Sequence, residues 1–295
     1  MSLQTAFEKG KFVVTSEIGP PKGTDTDGIR QLLDLYRGTV DAVNATDNQS
    51  AVMRMSSVAV SKIILEHGVE PILQMTCRDR NRIGLQSDLL GAHALGIRNV
   101  VVMTGDHVLA GDHKQAKPVY DVESVQLLNV INSLNSGTDM MGNLLKGKTC
   151  FFAGAVVTPE ANPLEPQLMK FAKKVQAGAK YFQTQAIYDI TMFKVFMEYA
   201  RRHPAKVLAG IVVLKNERMA RYLNEHVAGI RVPQELVAEL AAAPNREEKQ
   251  KAGIRIAARH IRRLREERIC DGVHIMAIGM EDTVPMIMHR AGLLE

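Results

Sequence analysis

"GNLLKGKTCFFAGAVV", residues 142–157, admits two readings, and the choice between them sets the fold. Its first eight residues match G-x-x-x-x-G-K-[ST], the pattern of a phosphate-binding loop. Such a loop follows a strand and opens a helix, so that backbone N–H groups and the helix dipole converge on the phosphate. Here the order is inverted. The helical pattern "SVQLLNVINSLN" (124–135) precedes the match, and the apolar run "CFFAGAVV" (150–157) follows it. Residues 142–149 therefore read as a turn with a cationic tip, placed before a strand rather than after one. A G-x-G-x-x-G dinucleotide fingerprint is absent.

Working outward, "CFFAGAVV" is the fifth of eight similar runs. The others are "FVVTSEI" (12–18), "DAVNAT" (41–46), "EPILQMT" (70–76), "NVVVMT" (99–104), "YFQTQAI" (181–187), "KVLAGIVVL" (206–214) and "GVHIMAI" (272–278). Near-continuous apolar strands imply burial on both faces, as in a parallel sheet. Amphipathic segments separate them: 26–38, 52–68, 84–96, 124–135, 167–178, 191–203 and 217–227, with an eighth at 280–292. Several close on glycine, at Gly68, Gly96 and Gly178, as helix C-termini often do. Eight β-α units in 295 residues predict a (β/α)8 TIM barrel, with a doubly wound open sheet as the rival. An extra helical insertion, 232–267, precedes strand eight. No repeat, low-complexity linker or domain boundary interrupts the pattern, so 1–295 is expected to be one domain.

Composition narrows the function classes. Hydrophobic residues make up 46% and charged residues 23%, as in a soluble globular protein. With no Trp and 15 Met, the core must come from aliphatic residues, with Met filling gaps. The net charge of +5 fits an anionic small ligand as well as nucleic acid. The densest basic run, Arg255–Arg268, lies on one helical pattern with Ile256, Ile261 and Leu264 inward, which marks a solvated face. No nucleic-acid module is visible, and no apolar run is long enough to span a bilayer. Cys77, Cys150 and Cys270 are scattered and odd in number, against a disulfide framework or a complete metal site. His107 and His113 lack a matching carboxylate spacing, so no metal is expected. A reducing cytoplasm fits, and the N-terminus lacks a signal-peptide apolar stretch.

In a barrel, chemistry sits at the C-terminal ends of the strands. Those ends carry Glu17; Thr46, Asp47 and Gln49; Gln74; Thr104, Gly105 and Asp106; Thr158 and Asn162; and Gln185. Most are polar and neutral, which suits a flat, hydrogen-bonding heterocycle better than a metal. In "VVTSEIGPP", Glu17 ends an apolar strand before a Pro-Pro turn. It reads either as a solvated loop acid or as a desolvated carboxyl with a raised pKa, able to deliver a proton near neutrality. Asp106 reads as a turn residue or as a second site carboxylate, with Gly105 allowing close backbone approach to a ligand. Lys170, Lys173 and Lys174 on the helix after strand five are either solvated or paired with phosphate.

Six segments in order carry a resemblance: "VVTSEIGPP", "NATDNQSA", "ILQMTCRDR", "GIRNVVVMTGD", "TPEANP…KKVQAGAKYFQTQAIYD" and "GIVVLKN". Together they resemble the methylenetetrahydrofolate reductases, flavin-dependent barrel enzymes of one-carbon metabolism, over nearly the whole chain. The resemblance implies FAD on the C-terminal face of the barrel and hydride transfer from flavin N5 to 5,10-methylenetetrahydrofolate, giving 5-methyltetrahydrofolate. It places the family's general acid on Glu17, the carboxylate that stabilises the folate iminium and tunes the flavin on Asp106, and a folate-contacting Gln on Gln185. It implies flavin contacts from Thr46, Asp47, Gln49, Gln74, Thr104, Gly105, Asp106, Asp121, Thr158, Asn162, Lys170, Lys173 and Lys174. Met219 falls at a folate-contacting position.

The chain also departs from the family's best-known members. Thr104 stands where Arg is common, Gln74 where His is common and Thr158 where Tyr is common. Met219 and Met280 stand where folate-contacting Gln and Arg are found. Loss of phosphate or adenine contacts would favour FMN, the alternative flavin. "GVHIMAIG" and the "YDVESVQLL" loop look like the branch found in anaerobic, acetogenic bacteria. The electron donor implied is NAD(P)H or a second subunit with iron–sulfur or zinc sites, in an oligomer or hetero-complex. Two other functions stay open: a non-catalytic folate-binding subunit of a methyl-transfer complex, and a flavin-free pterin-dependent methyltransferase.

Overall fold

The computed structural model describes residues 1–294. Its eight strands are β1 (Val13–Ile18), β2 (Ala42–Ala45), β3 (Pro71–Thr76), β4 (Asn99–Met103), β5 (Phe152–Val157), β6 (Tyr181–Ala186), β7 (Lys206–Val212) and β8 (Gly272–Met276). Each pairs parallel with its sequence neighbour, and β8 closes on β1 with Thr15 opposite His274. This is the expected (β/α)8 barrel, and its closure excludes the open sheet.

Eleven α-helices accompany the strands among the described residues: α1 (Leu3–Glu8), α2 (Asp27–Tyr36), α3 (Ser57–Glu66), α4 (Arg82–Ala94), α5 (Ser124–Ser136), α6 (Glu165–Gln176), α7 (Ile190–Ala200), α8 (Glu217–His226), α9 (Gln234–Ala242), α10 (Arg246–Glu266) and α11 (Val284–Arg290). The insertion before β8 is α9 and α10. Asn245 caps α10 by accepting from Glu248 N. The basic run lies on α10 with Ile256, Ile261 and Leu264 buried, as the pattern required.

Two local expectations are corrected. The segment 52–68 is helical only from Ser57, because the Ser56 hydroxyl accepts from Val58 N and stops the helix there. Ahead of it, Met55 N donates to Pro21 O at 2.9 Å, tying this stretch to the loop after β1. The second correction is α1, which the sequence pattern did not suggest. It lies under the barrel and buries Leu3, Ala6 and Phe7 against Val13, Ala42, Ile72, Val101, Tyr181 and Leu208. Residues 142–149 form no helix, and Lys148 is exposed, in keeping with a turn.

Side chains of alternate residues fill the barrel in layers. The lowest layer is apolar and aromatic: Phe152 and Tyr181 stack with centroids 5.3 Å apart, and Phe7 reaches up to both. A side chain at Gly154 would overlap the Tyr181 ring, so glycine is required there. The next layer is polar: Thr15, Asn44, Gln183 and His274, all buried. Above it the barrel opens.

Candidate active site

The opening is a cavity of about 390 Å³ at the C-terminal ends of β1–β6 and β8. A second concavity of about 850 Å³ lies beside it, between the loop after β1, α2 and the segment after β8. Glu17 and Gln49 border both.

Glu17 ends β1 and is only 8% exposed. Its Oε1 lies 3.5 Å from Gln49 Nε2, and its Oε2 lies 3.6 Å from His274 Nε2. A carboxyl so placed is shielded from bulk water yet faces the point where the two concavities meet.

The rim on the β2–β4 side is held by ion pairs. Asp47 accepts from Thr76 N (2.8 Å) and Thr76 Oγ1 (2.9 Å) and pairs with Arg80. Arg78 is 2% exposed and grips Asp79 with two nitrogens, each at 2.8 Å. The same guanidinium donates to Asn48 O (3.1 Å) and Asp106 O (3.3 Å). One cation thus joins the loops after β2, β3 and β4. Tyr120 adds its hydroxyl to Asp106 O at 3.0 Å. Gly105, at φ +90°, passes so near Thr76 that a Cβ would lie 3.0 Å from that residue's Cβ, so both its backbone conformation and its packing on the loop after β3 favour glycine. The Asp106 carboxyl itself is exposed at the mouth.

On the opposite side, Lys174 of α6 donates from Nζ to Val156 O at 2.6 Å. Burial, with Lys170 adding like charge, pushes its pKa down to about 8. Lys170 lies 3.8 Å from Glu123 and also lines the cavity. Beyond the cavity, Glu160 Oε1 accepts from Tyr188 N and Asp189 N, both at 2.9 Å, while its Oε2 is buried without a partner. Burial raises the Glu160 pKa to about 6. Nearby, Gly229, in the connection from α8 to α9, packs so closely on Thr158 that any side chain there would overlap it. Among the described residues, no group of three or more His, Cys, Asp and Glu is placed to hold a metal ion. None of the described helices is long and apolar enough to cross a membrane.

A model of the methylenetetrahydrofolate reductase family matches residues 2–292. The chain belongs to this family. It is 25% identical over 262 residues to methylenetetrahydrofolate reductase 2 of Schizosaccharomyces pombe, covering 81% of this chain and 38% of that one. It is 23% identical to 5,10-methylenetetrahydrofolate reductase of Pectobacterium carotovorum, over 97% of this chain and 92% of that one. The chain therefore spans well under half of the yeast relative but nearly all of the bacterial one. Among solved structures, a Clostridium thermocellum protein that binds two copies of 5-methyl-5,6,7,8-tetrahydrofolic acid superposes with TM-score 0.66 at 15% identity, over 98% of this chain and 97% of that one. A long-chain alkane monooxygenase superposes with TM-score 0.55 at 11% identity, over 97% and 93%. These two likenesses speak for the fold alone.

In this methylenetetrahydrofolate reductase family member, the cavity gathers Glu17, Asp47, Gln49, Gln74, Thr104 and Gly105. It also takes in Asp106, Thr158, Lys170, Lys174 and Gln185. Five of the residues that the sequence pointed to do not line it. Thr46 lies beneath, its buried Oγ1 without a partner. Asp121 is held by Arg82 through Nε (2.9 Å) and Nη2 (2.8 Å). Lys173 points to solvent from the outer face of α6, Asn162 is exposed, and Met219 packs with the cluster around α8 and α9. The cavity residues that the sequence reading missed include Arg78, Gln183 and His274. Arg78 sits within the quoted "ILQMTCRDR", where adjacent Arg and Asp suggest a loop. His274 is a lone histidine in an apolar strand, and its signal was its parity with Thr15 and Glu17 across the barrel seam.

Proposed function

We propose that residues 1–295 act as one catalytic domain that reduces 5,10-methylenetetrahydrofolate to 5-methyltetrahydrofolate with a flavin. The observation that carries this reading is the place of Glu17: a nearly buried carboxyl at the junction of two concavities, with no metal-ligand cluster beside it among the described residues.

The chain's residues fit a flavin in size and in chemistry. About 390 Å³ is within the range of small-molecule sites. Gly105 lines the cavity and holds the loop after β4 close against Thr76 and Arg78. Gln74 and Thr104 offer donors and acceptors to the ring's polar edge. Lys170 and Lys174 stand on one side, where a phosphate would restore the full charge of a lysine that burial disfavours. FAD is the group proposed, with FMN as the alternative. When bound, the flavin supplies the hydride for the one-carbon bridge.

The remaining roles belong to the protein. Glu17 holds the proton that the folate's leaving nitrogen must receive for the bridge to open to its iminium form. Asp106, at the mouth, presents negative charge to that cation, and Gln185 offers an amide to the folate ring. The aromatic floor below excludes water from the far side. The fold is one on which another protein binds 5-methyl-5,6,7,8-tetrahydrofolic acid, the product of this reduction. Electrons would come from NAD(P)H or from a partner subunit with iron–sulfur or zinc centres.

The purified or reconstituted protein should show the visible spectrum of oxidised flavin. After reduction under anaerobic conditions, that spectrum should return on mixing with 5,10-methylenetetrahydrofolate, with 5-methyltetrahydrofolate formed in equal amount. A colourless protein that no flavin reconstitutes would remove the reading.

A further inference from the structure

We propose that His274 is the positioning residue of the acid: it fixes which oxygen of Glu17 carries the proton. This rests on Glu17 being the proton donor, and adds a residue to it.

His274 is 3% exposed in the middle of β8 and belongs to the polar layer that forms the floor of the cavity. Its two ring nitrogens face different ways. Nδ1 is 2.9 Å from Thr15 Oγ1 and 3.4 Å from Gln183 Nε2. Nε2 faces Glu17 Oε2 at 3.6 Å. Gln183 is oriented by a reciprocal amide pair with Asn44: Asn44 Nδ2 donates to Gln183 Oε1 at 2.7 Å, and Gln183 Nε2 donates to Asn44 Oδ1 at 3.0 Å. That pairing turns the Gln183 amide nitrogen, a donor, toward Nδ1. Thr15 Oγ1 also lies 3.5 Å from Val273 O and 3.4 Å from Gln183 Nε2, and we take its hydroxyl to donate to the nearest acceptor, Nδ1, at 2.9 Å. Two donors aimed at Nδ1 make it the acceptor, so the ring proton belongs on Nε2.

An Nε2–H aimed at Glu17 occupies Oε2 as an acceptor. The transferable proton of the acid then goes to Oε1, which as a hydroxyl oxygen can still accept from Gln49 Nε2 at 3.5 Å and lies where the two concavities meet. The 3.6 Å separation exceeds a hydrogen bond, and contacts of this kind commonly tighten when a site fills. Among the described residues, Glu17 is the one acid within 4 Å of His274. The other charged groups of the cavity, Asp47, Arg78, Asp106, Lys170 and Lys174, come from the loops after β2, β3 and β4 and from α6. The remaining neighbours of the ring, Thr15 on β1, Asn44 on β2 and Gln183 on β6, are neutral.

Two measurements test this. In protein labelled with ¹⁵N-histidine, without cofactor or substrate, long-range ¹⁵N–¹H correlation should show His274 neutral with its proton on Nε2, and Glu17→Gln should shift that nitrogen. A proton on Nδ1 would overturn the proposal. In the folate half-reaction, His274→Leu should lower the rate by about 10- to 100-fold, the range of a displaced general acid, with flavin reduction unchanged. The descending limb of its pH profile should move upward, because the carboxylate loses a donor. His274→Gln, whose amide nitrogen can stand in for Nε2, should restore the rate to within about threefold. Equal losses in both variants, or an unmoved pH profile, would assign His274 a packing role only. If the unmodified protein fails to pass electrons to the folate, the proposed function fails instead, while the tautomer measurement still stands by itself.

Discussion

Two layers of the same barrel, one above the other, show opposite solutions to filling a ring of strands. The lower layer is apolar and aromatic and closed from beneath by α1, with Phe7 seated against Phe152 and Tyr181. The layer above is made of Thr15, Asn44, Gln183 and His274, whose polar atoms satisfy one another. A buried amide or imidazole without partners costs several kcal/mol, about 2–7 for an uncompensated group, so the upper layer brings no stability that alkyl groups could not bring more simply. The difference teaches that the lower layer holds the barrel shut while the upper one orients what lies above it.

That division can be broken by experiment. The largest effect is expected at the top. Glu17→Gln should lower the folate half-reaction by more than about 100-fold while flavin reduction and reoxidation by an artificial acceptor continue. Near-normal folate turnover would end the acid assignment. At the bottom, Phe7→Ala should cost about 3–5 kcal/mol of stability, read from denaturant unfolding, and leave the folate rate intact well below the melting temperature. A loss of chemistry without a loss of stability there would erase the contrast.

A third test concerns the rim. Glu160 titrates at about 6 rather than the usual 4.5 because of its burial. The folded chain therefore binds this proton more tightly than the unfolded chain. Its contribution to stability falls as the pH rises from about 4.5 to about 6 and is constant above. Glu160→Gln should flatten that window and recover about 1–2 kcal/mol at neutral pH. An unchanged stability–pH curve would show that the carboxyl is better solvated than its contacts imply. The smallest effect belongs to Lys148→Ala, in the turn that mimics a phosphate loop: activity unchanged and stability within about 0.5 kcal/mol. A large loss of activity would make that turn part of the machinery.

The strands were legible because each is a short β-branched run bounded by polar residues, and because helix and strand alternate in order. The position of the rim followed from that order alone. What escaped was of two kinds. Helix α1 is six residues long, too short for a periodic signal, and is stabilised by burying Leu3, Ala6 and Phe7 in a barrel floor assembled from distant strands. The partners of the site residues also escaped. Asp121 sits at a position the family resemblance marks for cofactor contact, yet here Arg82 claims it, a pairing across 39 positions that no local pattern reveals. Lys173 and Lys174 are adjacent in sequence, but the turn of α6 sends one outward and the other inward. Helical spacing alone could have separated them.

Arg78 has a consequence for how a ligand gets in and out. By clasping the segments that follow β2, β3 and β4 with one guanidinium, it turns that half of the mouth into a fixed jaw. The other half carries no such cationic clasp among the described residues: there the α8–α9 connection packs on Thr158, and the Glu160 carboxylate accepts from two amides at the start of α7. The two sides of the entrance are thus braced by unlike means, a shared cation on one and a carboxylate gripping backbone amides on the other.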